Sequence, residues 1–233
     1  MPGSSGMFDF LDKEVNSWQG LQILDTACGN GLLAQEMVAK GANVTAMECE
    51  PTVLAQAMEL SRRERQKRNP YFIQGGLDDL PGEPASFQMI LCLSNATAAL
   101  ADSQGYTSFF HRVAELLTPK GRLVLQLFNY DRILRYDDYE LEDITLPEEG
   151  ILIKRSFQPQ EDGFLDLVSR IRILRKDAFE MSTHTSRVWP ISSDDLKSSL
   201  QEAGFVKITF YSDVAGHSWQ ADSFSSLLIA VRA

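Results

Sequence analysis

Short apolar segments alternate with amphipathic ones over the first half of the chain. Segments 21–25, 44–48, 71–74, 87–93 and 122–128 are the short apolar ones, a pattern typical of buried strands. Apolar residues recur at helical spacing in the intervening stretches, most clearly after residues 31, 51 and 106. This strand-helix order predicts an α/β fold built on a parallel sheet.

The period changes to two after residue 150. Segments 151–157, 164–174 and 179–189 alternate apolar and polar residues and are separated by short turns. We interpret them as an antiparallel β meander and the acidic stretch 137–149 as a solvated connection. A helix over 194–203 and strands over 206–212 and 225–231 follow. The predicted organisation is a single domain over 1–233, with 137–190 as an inserted antiparallel β cover.

Composition and net charge exclude several classes of function for this chain. The chain has 233 residues, 44% hydrophobic and 23% charged, which is typical of one globular domain, and its net charge of -10 argues against nucleic acid as a partner. The N-terminus lacks a secretory signal, and no apolar run reaches the ~20 residues that a membrane helix needs. The expected location is therefore cytoplasmic. Because the three cysteines lack zinc-binding spacing, no metal is predicted.

The turn after the first predicted strand carries the chemistry. Gly29 and Gly31 let the backbone approach a ligand at the amino end of the following helix. Seventeen residues after Gly31, Glu48 ends the second strand, where a carboxylate can accept both hydroxyls of a ribose. The sequence therefore predicts a nucleoside ligand.

Two nucleoside cofactors fit this turn. Residues 29–34 also match the G-x-G-x-x-A form of the dinucleotide fingerprint, which leaves an NAD(P)-dependent oxidoreductase as an alternative. Asp25 argues against it, since a carboxylate at the strand end repels a pyrophosphate but attracts an ammonium group. One carboxylate for an ammonium and one for a ribose suits S-adenosyl-L-methionine.

The motifs as a set resemble the class I S-adenosylmethionine-dependent methyltransferases. ILDTACGNG resembles the first motif of this family, VTAMECEPTVLAQA the second, and FIQGGLDDLP with SFQMILCLSNA the third and fourth. The similarity continues through LTPKGRLVLQLFNYDRIL and LKSSLQEAGF. It implies a Rossmann-like, doubly wound seven-stranded sheet that is mostly parallel and ends in an antiparallel C-terminal hairpin.

The resemblance also implies roles for individual residues. Asp25 would hold the amino group of the cofactor, Glu48 the ribose, and Cys49 would flank the adenine. Leu77 would offer its backbone N–H to the adenine ring, and Asp78 or Asp79 could bind the adenine amino group, because the acid usual before Leu77 is replaced by Gly76. The other cofactor-binding positions implied are Ala27, where the family usually has glycine, and Gly29, Gly31 and Ser94.

The predicted function is transfer of a methyl group to N or O of a small molecule. The reaction depends mainly on alignment, so no catalytic residue is assigned. Candidates for the acceptor pocket lie at strand carboxyl ends or in the final hairpin loop: Asn95, Asn129, Tyr130 and His217. A non-catalytic cofactor-binding partner subunit is the second alternative.

Overall fold

A seven-stranded sheet forms the centre of the protein in the computed structural model, which describes residues 4–64, 68–100, 102–137, 139–175 and 178–233. Its order is β10-β11-β5-β4-β1-β2-β3; β1 to β5 are mutually parallel, and β11 runs antiparallel to both β5 and β10. The strands are β1 Gln22–Asp25, β2 Asn43–Glu48, β3 Tyr71–Gln74, β4 Phe87–Cys92, β5 Leu117–Phe128, β10 Phe205–Tyr211 and β11 Ser225–Arg232. The predicted fold class is confirmed.

Helices connect these strands and cover both faces of the sheet. They are α1 Ser4–Glu14, α2 Leu32–Ala39, α3 Pro51–Arg63, α4 Ser103–Leu116, α5 Tyr130–Tyr136 and α6 Ser193–Glu202, with a 3-10 helix at Ala96–Ala99. Side-chain caps fix the first residues of several helices. The Glu50 side chain accepts from the Thr52 N–H at the start of α3, and the Ser192 side chain accepts from the Asp195 N–H at the start of α6.

The sheet separates two hydrophobic cores. One holds α4 and α6 against one face through residues such as Phe110, Val113 and Leu200. The other holds α1 and α2 against the opposite face, with Leu11 and Met37 fully buried. Because β4 and the second half of β5 are covered on both sides, their sequences are almost continuously apolar.

A second, four-stranded antiparallel sheet is inserted between α5 and α6. Its strands, in spatial order, are β6 Glu140–Leu146, β7 Ile151–Pro159, β8 Leu165–Arg175 and β9 Ala178–Val188. The register places Phe157, Leu165, Leu167 and Val188 on one face, which we call the inner face. All four join the core that contains α4 and α6.

Phe157 anchors this inner face to the main sheet. Its ring lies 5.5 Å from that of Phe128, at the carboxyl end of β5, and 6.0 Å from that of Tyr130, at the start of α5. The side chain is only 2% exposed. The inner face is therefore turned toward the edge of the main sheet at which the parallel strands end.

Two expectations for this region need correction. The acidic stretch 137–149 is not only a connection: β6 occupies residues 140–146, because Leu141 pairs opposite Arg155 and Ile144 opposite Ile153. The register shifts between these two apolar residues, as at a β-bulge, which breaks the period of two in the sequence. Helices α1 and α5 are also additional to the predicted elements, and α5 begins where the Asn129 side chain accepts from the Arg132 N–H.

We expect Phe157→Ala to lower the free energy of unfolding by about 3 kcal/mol or more, because a fully packed aromatic ring is lost. Met181→Ala is the matched control, since Met181 lies on the opposite face of the inserted sheet and is 79% exposed. It should change stability by about 0.5 kcal/mol at most. Urea unfolding of both variants checks this, and equal stabilities would show that Phe157 does not anchor the insertion.

Candidate functional site

The loop after β1 closes over the carboxyl edge of the sheet. The Thr26 N–H donates to the Leu91 carbonyl of β4 at 2.9 Å, and the Cys28 N–H donates to the Met47 carbonyl of β2 at 2.9 Å. The loop is thus held by both neighbours of β1. Its position at the end of three parallel strands is where open α/β sheets bind ligands.

Asp25 is a buried carboxylic acid at the base of this loop. It is 2% exposed, and this burial raises its pKa to about 7. The Ala27 N–H donates to it and opposes the shift, while the charge of Glu48 adds to the increase. Because the Asp25 carboxylate is desolvated and repelled by a second carboxylate, a cation placed beside it would be strongly favoured.

Glu48 connects the loop to the end of β2. Its Oε2 accepts from the Gly29 N–H at 3.0 Å, and its Oε1 accepts from the Glu50 N–H at 3.0 Å. The side chain is half-buried, and Oε2, with one donor, keeps a lone pair for a further donor. Cys49 follows in an exposed position, with its Sγ 3.4 Å from Glu48 Oε1.

The two loop glycines serve different purposes. Gly29 has φ +55°, and a Cβ placed on it would meet no protein atom within 4 Å, so the space above it is open to a ligand. Gly31 has φ +74°, and its Cβ would lie 3.1 Å from the Phe72 ring and 3.3 Å from Ala57. Packing against α3 and β3 therefore requires glycine at position 31, whereas the open side of the loop is at position 29.

Leu77 and Asp78 lie beyond the end of β3, beside a cavity of about 420 Å³. Leu77 is half-buried and Asp78 is exposed. The opposite wall comes from the start of α4 and includes Gln104, Ser108 and Phe109. The two predicted adenine contacts are thus close to each other, on the side of the sheet where β2 and β3 end.

Ser94 and Asn95 form a left-handed turn after β4, with φ +57° and +62°. Gln126 of β5 holds this turn: its carbonyl accepts from the Asn95 N–H at 2.9 Å and its side-chain Oε1 from the Ser94 N–H at 3.3 Å. Sequence reasoning missed Gln126. The signal was a single amide within the apolar run RLVLQLF.

Asn95 and Tyr130 come together, and the side-chain oxygen of each is used within the protein. Asn95 Oδ1 accepts from the Phe128 N–H and from the Tyr130 hydroxyl, each at 3.1 Å. Tyr130 is 1% exposed, and burial raises the pKa of its phenol. The Tyr130 ring thus packs beneath the turn, and its hydroxyl holds the Asn95 side chain.

Asn129 and His217 belong to the side of the site near β11. Asn129 is 2% exposed, and its Nδ2 donates to the carbonyls of Ala221 and Ser223, so it fixes the connection between β10 and β11. His217 lies in that connection, exposed, with Nδ1 2.7 Å from Asp213 Oδ2. This contact holds the pKa of Asp213 below its usual value.

Comparisons with known proteins agree with this geometry. A family model described as a methyltransferase domain matches residues 23–121. A crystal structure of an S-adenosylmethionine-dependent methyltransferase from Clostridium acetobutylicum superimposes with a TM-score of 0.81, covering 100% of this chain and 93% of that one at 15% identity. Residues 23–121 therefore match a methyltransferase domain, and the chain as a whole has the fold of a solved S-adenosylmethionine-dependent methyltransferase.

Relatives of this chain carry the names of methyltransferases with different acceptors. A ubiquinone biosynthesis O-methyltransferase of Xylella fastidiosa is 33% identical over 126 residues, covering 52% of this chain and 47% of that relative. The chain thus spans about half the length of that relative. A glycine/sarcosine N-methyltransferase of Halorhodospira halochloris is 26% identical over 222 residues, which cover 92% of this chain and 76% of that relative.

A solved structure of similar fold, an amino pentose methyltransferase from Micromonospora echinaspora, is described with S-adenosylmethionine bound; it has a TM-score of 0.74 at 17% identity and covers 99% of this chain and 90% of that one. The residues at this edge of the sheet fit S-adenosyl-L-methionine, the cofactor that the motifs predict. Asp25 offers a desolvated carboxylate to an ammonium, the surface above Gly29 is open, and Glu48 has free acceptor capacity at the end of β2. No group of His, Cys, Asp and Glu able to hold a metal occurs in the ranges that the structure describes.

We expect Gly29→Val to abolish binding of S-adenosylhomocysteine while the protein remains folded, because the new side chain would fill the open space above the loop. Gly163→Val is the matched control: Gly163 also has positive φ and an open Cβ direction, but lies in the turn between β7 and β8. Both should cost about 1–2 kcal/mol of stability through backbone strain. Calorimetric titration would contradict this prediction if the two variants bound equally.

Affinity for S-adenosylhomocysteine should rise about tenfold between pH 6 and pH 8, since Asp25, with its pKa near 7, must ionise to pair with the ligand's ammonium group. In the protein without ligand, the free energy of unfolding changes with pH in the opposite direction. The raised pKa means that the protonated acid favours folding, so the free energy of unfolding falls as pH rises from about 4 through 7.

Asp25→Asn is the control for this pH dependence, because the carboxamide of asparagine does not ionise. The variant should bind weakly and without the rise. A wild-type affinity that is flat from pH 6 to pH 8, or an unchanged rise in Asp25→Asn, would assign the titration to another group.

Proposed function

We propose that the protein transfers a methyl group from S-adenosyl-L-methionine to a nitrogen or oxygen of a small molecule. The observation that carries the proposal is the pair of carboxylates around Gly29. Asp25 and Glu48 approach closely enough for the charge of Glu48 to raise the pKa of Asp25, and the loop between them is open above Gly29. An amino acid joined to a ribose supplies one partner to each carboxylate.

The proposed cofactor-binding roles follow from position along this edge. Asp25 pairs with the ammonium, and Glu48 accepts from the two ribose hydroxyls as charge-assisted hydrogen bonds. Cys49 lies against the adenine, and the Leu77 N–H with the Asp78 carboxylate reads the ring. Ala27 and Gly29 form the wall along the amino-acid portion, and Ser94 the wall near the sulfur.

Positioning supplies most of the proposed rate enhancement. S-adenosyl-L-methionine provides a methyl group bound to a sulfonium sulfur, which is a good leaving group. The chain's part is to hold the acceptor in line, because effective molarities for well-oriented groups account for about 7–11 kcal/mol of barrier. The turn at Ser94 and Asn95 suits this task, since Gln126, Phe128 and Tyr130 fix it from beneath.

Tyr130 is not the base in this proposal. Burial raises the pKa of its phenol, which is already donating to Asn95. The more accessible candidate is His217, whose ring is oriented by Asp213 and exposed. Two of the acceptor-pocket candidates therefore remain open to a substrate: the ring of His217 and the amide nitrogen of Asn95.

The acceptor is proposed to be a small molecule enclosed by the inserted sheet. This insertion, predicted as 137–190 within a single domain, packs at the end of β5, and β9 also contacts the 3-10 helix that follows Ser94 and Asn95. It is thus nearer to the acceptor side than to the loop of Gly29. Both N- and O-methyltransferases occur among the relatives, so either acceptor atom is compatible.

The cytoplasm is the proposed location. Cys28, Cys49 and Cys92 are all free thiols, as expected in a reducing compartment. No helix in the described ranges has the length and apolar character to cross a bilayer. The net charge of -10 supports a proposal without nucleic acid as substrate.

Transfer of labelled methyl groups to pools of small amines, phenols and hydroxy acids tests the proposal. We expect label in at least one pool with wild-type protein and none with Gly29→Val. Binding of S-adenosylhomocysteine without transfer to any pool would favour a non-catalytic partner subunit. Binding of NAD or NADP in its place would overturn the proposal.

Glu48→Gln should weaken S-adenosylhomocysteine binding by about 1–3 kcal/mol, because charged acceptors for the ribose are lost. The control ligand is the analogue without ribose hydroxyls, whose affinity should change much less. Calorimetry with both ligands separates the loss of the ribose contact from a general loss of binding. An equal loss for both would mean that Glu48 acts only by holding Gly29 and Glu50.

A further inference from the structure

The inner face of the inserted sheet carries a polar row beside its hydrophobic anchor. In the register, Arg155, Ser169 and His184 lie opposite one another across β7, β8 and β9. The adjacent row contains Phe157, whose ring packs on Phe128 at the end of β5. Arg155 is two residues from Phe157 on the same strand and therefore points to the same side, toward the carboxyl edge of the main sheet.

Arg155 lacks the kind of carboxylate partner that three other basic residues in and beside the inserted sheet have. Lys154 pairs with Asp143, Arg175 with Glu180 and Arg187 with Asp162, and the Arg172 guanidinium lies 3.5 Å from the Phe179 ring centroid. Arg155 has no carboxylate partner within the ranges that the structure describes. Its Nε is shielded from solvent without a hydrogen bond.

Arg155 is half-buried, and its shielded Nε is an unsatisfied donor, which is energetically unfavourable unless an acceptor meets it. An unsatisfied buried donor costs about 1–3 kcal/mol, and more when it is charged. The guanidinium fork matches two oxygens of one carboxylate or phosphate. The neighbouring Ser169 and His184 add donors in the same row, and Glu180, the acidic residue two rows away on this face, is already paired with Arg175.

We propose that Arg155 binds an oxyanion, a carboxylate or phosphate group carried by the methyl acceptor, and thereby selects anionic acceptors. The inference rests on the proposed function for the identity of the ligand, but the anion site itself is a property of the inserted sheet. Arg155 acts as a specificity-determining residue, at a distance from the cofactor loop of Gly29.

Binding of acetate, benzoate and inorganic phosphate, with benzamide as the neutral probe, tests the site by calorimetry in the presence of saturating S-adenosylhomocysteine. We expect wild-type protein to bind at least one anion and not benzamide. Arg155→Gln should weaken that binding about tenfold or more, because charge-assisted hydrogen bonds are lost, and Arg155→Lys less so.

Arg170→Gln is the matched control. Arg170 lies on the same sheet, exposed and opposite Lys154 on the outer face, so its loss should leave anion binding unchanged. Absence of anion binding by wild-type protein, unchanged binding in Arg155→Gln, or an equal loss in Arg170→Gln would overturn the proposal.

The same samples separate this inference from the proposed function. Arg155→Gln should keep its affinity for S-adenosylhomocysteine, and in transfer assays should raise KM for carboxylic acids without raising it for their primary amides. Transfer to amides but never to acids would overturn the anion site and leave the methyltransferase activity in place. Failure of every transfer, with Arg155-dependent anion binding intact, would overturn the activity alone.

Discussion

The hydrogen bond from the Gly29 N–H to the Glu48 carboxylate is the interaction on which the site depends. It joins the loop after β1 to the end of β2 and fixes the one position in that loop where the space beyond the backbone is open. Burial raises the pKa of Asp25, and the charge of the same Glu48 carboxylate adds to that increase. One acidic side chain thus shapes the loop and adds to its preference for a cation.

This arrangement is stable only because the parallel sheet supports it. Neighbouring parallel strands end at one edge, so Asp25, Glu48 and the turn at Ser94 come together although they are far apart in sequence. Helices on both faces bury the strands and exclude water from beneath the loop. Burial of Asp25 is therefore a consequence of the fold, and it makes the carboxylate a strong partner for an ammonium group.

The inner face of the inserted sheet has a hydrophobic part and a polar part. Its hydrophobic contacts are concentrated at one end of the inner face, where Phe157 meets Phe128 and Tyr130. The polar row of Arg155 lies just beyond that anchor. Cofactor recognition would then belong to the parallel sheet and acceptor recognition to the insertion, so that one can vary in evolution without disturbing the other.

The local sequence was sufficient to predict the fold class and the main sheet. Strands of β1, β2, β4 and β11 are buried on both faces or paired in a hairpin, and their composition reports this directly. The loop at 25–31 was also readable, because positive φ and close approach require glycine. Strand β6 was not predictable from the sequence, because the register shift between Leu141 and Ile144 interrupts the alternation of apolar and polar residues.

Tertiary structure alone decided which side chains are free to act. Asn129 and Tyr130 have suitable chemistry at a suitable strand end, yet the fold buries both and uses their polar groups on Ala221, Ser223 and Asn95. Arg155 lies in an ordinary period-two segment, and only strand register shows that it shares a face with Phe157. Sequence specifies residue type and local period, whereas burial and unpaired charge arise from contacts between distant segments.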